Sequence, residues 1–192
     1  MPSGYFSGVF SEIILFAFRL YIGAVMLRFL LHWVRADFRF NPVARGLIKV
    51  TNPVLVPLRR FIPGYKGIDW AAVLSMVILA MVGVATVLAL AGQSPSLPGL
   101  IILAVAELLT VAVKLFFFAI LLMVIVSWVS PGTYNPAIEL VHAVTEPLMR
   151  PARQLLPPLG GFDLSPILVL LLLHLTERLI IIPIRGYGLA LM

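Results

Sequence analysis

Four long apolar runs fix what this chain can become: 13–34, 68–91, 100–128 and 166–184. A bilayer's hydrocarbon core, ~30 Å thick, needs ~20 helical residues at 1.5 Å each, and every run is about that long or longer. Lipid offers no partner for a free backbone N–H or C=O, so each run must be a helix. The third exceeds the requirement and should tilt or extend into the interface. Composition agrees. The chain is 61% hydrophobic and 11% charged, against about 25% charged in soluble domains, and its mean hydropathy is +1.10. The expected class is an all-α membrane protein with four transmembrane helices.

Cysteine is absent, which excludes disulfides, thiolate metal sites and cysteine nucleophiles and leaves the redox compartment unread. In so apolar a chain the net charge of +6 points to anionic lipid headgroups and orientation signals, not to nucleic acid. Residues 1–12 have no basic n-region, so no cleaved signal peptide is expected. Arg35, Arg39, Arg45, Lys49, Arg59, Arg60 and Lys66 crowd the loop after the first run, and Arg150 and Arg153 follow the third. The opposite side shows only Arg185. The positive-inside rule then places both long loops in the cytoplasm and both termini on the opposite side of the membrane.

The short link "GQSPSLPG" at 92–99 is rich in turn residues and separates two related halves, 1–94 and 95–192. At an offset of 94, Asn41-Pro42 meets Asn135-Pro136, Thr51 meets Thr145, Pro53 meets Pro147 and Pro57 meets Pro151. Arg59 then meets Arg153, Pro63 meets Pro157, Gly67 meets Gly161 and Asp69 meets Asp163, without a gap. Trp33 and Trp128 pair if one residue is deleted. Each half is span, loop, span, so the repeats are parallel rather than inverted.

The loop motif reads as a membrane-surface device. Asn-Pro is expected to close the first span of each half. Val43, Leu47, Val50 and Val54 in one loop, and Ala137, Ile138, Val141, Val144 and Leu148 in the other, recur near helical spacing, which predicts amphipathic helices in the headgroup region. The prolines at 53, 57, 147 and 151 predict an interruption and a folded-back path. Arg59, Arg60 and Arg153 then fall where they can reach lipid phosphate. Asp163 or Ser165 can cap the fourth span with Pro166 in its first turn, and Asp69 can cap the second alone.

Ionisable residues within spans are expensive and often functional. Arg19 and Glu107 lie near expected membrane ends, where snorkelling explains them, and Arg28 can reach the loop side. Lys114, His174, Glu177 and Arg178 sit deeper. The structural reading pairs Lys114 with Glu177 and gives His174 a helix–helix hydrogen bond. An ion or proton path and a haem or metal site through His174 or His32 are the competing readings. His142 should be solvated, and Gly83 and Ala91 can pack small faces. Hydrolase, phosphate-loop and metalloprotease signatures are absent, and no cofactor is expected.

Thr145-Glu146-Pro147-Leu148, Arg150-Pro151, Arg153, Pro157, Gly161, Asp163, Ser165 and Pro166 together resemble the motif of the YggT family of bacterial membrane proteins, which has plastid relatives. Two tandem copies cover nearly the whole chain. The first departs from the pattern at Asn52, Val56 and Ala71-Ala72. The resemblance implies roles linked to osmotic-stress tolerance and ion uptake, cell division, nucleoid distribution or cofactor assembly of membrane complexes, with no established enzymatic activity. The leading expectation is a non-enzymatic scaffold or assembly factor whose second loop holds anionic lipid headgroups or a protein partner through Arg150 and Arg153. The alternative is a transport or channel-modulating role through Lys114, Glu177 and His174. A pore in so narrow a bundle would need a homo-oligomer.

Overall fold

The computed structural model describes residues 2–36, 41–129, 135–156 and 163–192. It is all-helical over these residues apart from one isolated bridge, Tyr65 with Ile68. The elements are α1 (Pro2–Trp33), α2 (Pro42–Phe61), α3 (Trp70–Leu90), α4 (Leu97–Val129), α5 (Pro136–Leu155) and α6 (Ser165–Thr176). A π-helical turn, Glu177–Ile181, joins α6 to α7 (Ile182–Ala190).

Among the described residues four stretches are long and apolar enough to cross a membrane: Gly8–Trp33, Trp70–Leu90, Leu97–Val129 and Ser165–Ala190. The fourth runs beyond the expected 166–184 because its helix continues through Arg185, which finds a partner inside the bundle. α2 and α5 are the loop helices. Asn41 Nδ2 at the head of α2 donates to the Pro136 carbonyl at the head of α5 (2.7 Å), so both lie at the same end of the bundle.

Asn-Pro opens each loop helix instead of closing a span. Asn41 is extended, as a residue before proline should be, and its side chain accepts the Val43 and Ala44 amides. Asn135 likewise accepts the Ala137 amide. α1 has by then ended at Trp33, with Arg35 at a positive φ of 56° receiving the chain.

The prolines do not fold the loops back. Pro53 and Pro57 lie inside a 20-residue α2, and Pro147 and Pro151 inside a 20-residue α5. Proline removes one N–H and crowds the carbonyl four residues back. With a spacing of four, both defects fall on one face, and that face is exposed in each helix. There the helix can curve and leave the freed carbonyls to polar surroundings. The Thr51 and Thr145 hydroxyls, donating to Leu47 O (2.8 Å) and Val141 O (2.9 Å), add a bend of the same origin.

Each loop helix drops a large, wholly buried apolar side chain into the bundle at equivalent positions, Leu55 and Met149. Leu55 joins the buried cluster that includes Ile22, Val25, Ala72 and Met76; Met149 joins that of Ile120, Met123 and Val169. The expected apolar stripes need adjustment: Val43 and Val50 are exposed, and Ala44, Thr51, Leu140 and Val144 form the inward face with Leu55 and Met149. At ~100° per residue, Val43, Leu47, Val50 and Val54 share one flank of α2, and Arg45, Lys49 and Arg60 the other. A helix with an apolar flank and a cationic flank suits the acyl–headgroup boundary.

Between halves, Gly92 adopts φ +72° and closes α3, with Gln93 N bonding Leu88 O. Gly83 is buried where a Cβ would lie 3.0 Å from the Phe18 ring, so α1 and α3 approach closely there. Ala91, expected beside it in that role, is exposed.

Candidate functional site

The repeated Arg and Asp residues form a clamp. Arg59, in the last turn of α2, donates to Asp69 Oδ2 through Nη2 (2.5 Å) and Nε (3.2 Å). Asp69 also caps α3 by accepting the Ala72 amide. In the second copy Arg153 donates to Asp163 (3.4 Å), and Asp163 accepts the Ser165 amide (2.9 Å) at the head of α6, where Pro166 stands in the first turn. Ten residues separate the partners in both copies. The clamp therefore ties the end of each loop helix to the start of the next span, and gives Arg59 and Arg153 each a carboxylate partner within the chain. In the first copy a two-residue turn completes the connection. Lys66 and Gly67 both have positive φ, and Tyr65 and Ile68 exchange backbone hydrogen bonds, the arrangement of a type I′ hairpin. The corresponding Pro157 and Gly161 lie outside the described residues.

The two clamps differ in their surroundings. Arg28 of α1, 8% exposed, sends Nη1 to Thr51 Oγ1 (2.6 Å), Asn52 Oδ1 (2.9 Å) and Ile48 O (3.3 Å). It reaches the loop side, as expected, and there docks α2 against the first span. Extending the Trp33–Trp128 pairing back along α1 and α4 sets Arg28 opposite Met123, and Met123 sulfur lies 3.8 Å from the Thr145 hydroxyl. With methionine at that place, Glu146 takes its cation from Arg153 (2.9 Å). Asn52, where the first copy departs from the acidic residue, thus accepts from the buried Arg28, whereas Glu146 pairs with Arg153. Arg28, His32, Arg59 and Asp69 border a cavity of about 480 Å³. Of the motif cations, Arg60 and Arg150 are exposed and have no partner among the described residues.

Burial on its own would raise the Asp163 carboxyl, but the hydrogen bond from the Ser165 amide and the neighbouring Arg153 outweigh it and hold it below its ordinary value. A depressed carboxylate contributes stability that is complete above its unfolded pKa of ~3.9 and is lost as pH falls through the folded value. We expect wild type and Asp163→Asn to differ by a constant, small amount above about pH 5, since the pair is half exposed, and to converge below about pH 4. Thermal unfolding in detergent micelles across pH 3–7 checks this, and a gap that widens on acidification contradicts it.

A second polar cluster lies inside the bundle. Glu107 of α4 is 4% exposed. Arg19 of α1 grips it with Nε on Oε1 and Nη2 on Oε2 (3.1 Å). Arg185 of α7 reaches the same carboxylate (3.5 Å) and Thr110 Oγ1 (3.1 Å). Snorkelling is therefore the wrong account of Arg19 and Glu107: a buried carboxylate with two guanidiniums joins the first, third and fourth spans. Arg185 belongs to this cluster, a role its position near the chain end concealed.

The expected Lys114–Glu177 ion pair is not formed within 4 Å, and His174 makes no helix–helix hydrogen bond among the described residues. Lys114, His174 and Glu177 do border one cavity, of about 840 Å³. Lys114 and His174 are exposed on the side of the bundle, Glu177 is half-buried at the start of the π turn, and Arg178 is exposed outside the cavity. Among the described residues no three His, Asp or Glu converge as metal ligands. His142 is exposed.

The CCB3/YggT family model matches the chain twice, at residues 7–90 and 102–184. A protein of Pseudomonas aeruginosa described as uncharacterized is 44% identical over 164 residues, 84% of this chain and 83% of the relative. YggT of Escherichia coli K12, also described as uncharacterized, is 37% identical over 158 residues, 82% and 81% of the two chains. A protein of Vibrio alginolyticus, 36% identical over 164 residues, covers 84% and 88%. No solved structure matches.

Proposed function

The chain belongs to the CCB3/YggT family, and from that premise we propose that it is a non-enzymatic scaffold or assembly factor of a bacterial inner membrane. α2 and α5 lie on the cytoplasmic leaflet and present Arg60 and Arg150 to anionic lipid headgroups or an acidic protein partner. What carries this reading is the pair of Arg–Asp clamps, which hold two mutually bonded interfacial helices in fixed register against the spans. A surface so fixed binds at low entropic cost. The concentration of Lys and Arg in the α1–α3 connection supports the orientation.

The transport alternative, a route for ions in osmotic adaptation, rests on Lys114, Glu177 and His174. Two of these are exposed on the side of the bundle rather than enclosed in it, which favours the scaffold. The test is rescue of osmotic-stress growth in a strain lacking its own family member. The Arg60→Gln/Arg150→Gln double variant should express normally and lose rescue. Substitution at Arg153 is a poor probe, because it also opens a clamp. Rescue lost only on substitution of Lys114 or Glu177, with altered ion uptake, would favour transport.

A further inference from the structure

The 840 Å³ cleft is bordered by α1, α4 and α6, with Phe16, Phe118 and other apolar side chains forming most of its wall. A cavity of this size, apolar with a few convergent polar groups, has the character of a ligand site. Its polar members are deep: Lys114 lies at least about 22 Å of helix from either end of α4. Unpaired charge at such depth is costly and calls for a partner.

Arg19 is held by Glu107, which Arg185 shares, and Glu12, near the N-terminal end of α1, acts on Arg19 as well. Lys114 has no carboxylate within 4 Å among the described residues, and Glu177 on the same cleft stops short of it. Lys114 is therefore the cation of the cleft left without an ion pair. A second copy of this chain would bring another such lysine, and an uncharged acyl chain would leave this one unanswered.

We propose that the cleft takes a single-chain amphiphile with a monoanionic head, a long-chain carboxylate, entering sideways from the bilayer. Lys114 meets the head as its counter-charge and His174 offers a ring N–H beside it. The chain lies along Phe16 and Phe118. Glu177 limits the site to one negative charge.

The probe is oleate, added to the purified full chain in neutral detergent micelles, with the thermal unfolding midpoint as readout. Oleate should raise the midpoint saturably, whereas oleyl alcohol, with the chain but no charge, and acetate, with the charge but no chain, should not. Lys114→Met should weaken the effect at least tenfold in half-saturating concentration, Arg178→Met should leave it unchanged, and Glu177→Gln should strengthen it. An equal response to oleyl alcohol, or undiminished oleate binding by Lys114→Met, overturns the proposal. If Lys114→Met does not fold, Glu177→Gln decides: tighter binding supports the site and unchanged binding overturns it.

Discussion

Glu107→Leu should be the most damaging single substitution in the bundle, costing about 3–5 kcal/mol. The carboxylate is buried and answers two guanidiniums. Its removal strands Arg19 among apolar side chains, and breaking one member of a buried ion pair exposes the full desolvation penalty of the other. Arg185, closer to the chain end and partly exposed, can turn outward and Thr110 still accepts from it. For a chain of this size the loss corresponds to a fall in unfolding midpoint on the order of 10 °C. Glu107→Gln keeps an acceptor and should lose less. The Arg19→Leu/Glu107→Leu double variant should recover much of the loss, because apolar replacement of a buried pair is often near neutral. Thermal unfolding of the four proteins in one detergent checks the order. A Glu107→Leu protein within 1 kcal/mol of wild type would remove the pair from any account of how these three spans are held together.

The next largest effect belongs to Asp69→Ala. Asp69, 7% exposed, caps α3 and receives Arg59. Losing the cap costs about 1 kcal/mol. The freed Arg59 is more than a third exposed and can rotate into water, so the ion pair adds only about 1 kcal/mol more. The larger consequence is local. With the clamp open, the charged tie between the end of α2 and the start of α3 is gone, and amide exchange over residues 62–69 should accelerate well beyond the change in global stability. Asp69→Asn restores the cap without the charge and should fall between the two. Hydrogen exchange that speeds up equally across all helices would show the clamp to be incidental.

The spans could be read from the sequence because desolvating a backbone is a local demand that twenty residues answer by themselves. The repeat was equally plain, and it held an unused signal: an arginine and an aspartate ten residues apart, in both copies, on either side of a turn. The prolines misled because the rule against them concerns an unsupported helix interior. At Pro53 and Pro57 both defects share an exposed face, and Leu55 between them is anchored in the core. Arg19 and Glu107 stand 88 positions apart, and nothing in either one's neighbourhood announces the other. Lys114 and Glu177 failed in the opposite sense: their depth in two spans suggested that they meet, and they do border one cleft, but depth could not say that they stop short of contact.

The π turn at Glu177–Ile181 inserts one extra residue ahead of Pro183, with the Ile182 amide bonding Glu177 O. Twelve positions separate the buried residues Val169 and Ile181. In an unbroken α-helix they would be rotated about 120° apart, and the insertion takes up about 100° of that. The last span thus keeps a single inward side from Val169 through Ile181 to Gly188, and Arg185 arrives facing Glu107. The widened turn works as a phase correction: it lets the C-terminal end of the span keep time with an N-terminal end whose spacing was set by different neighbours.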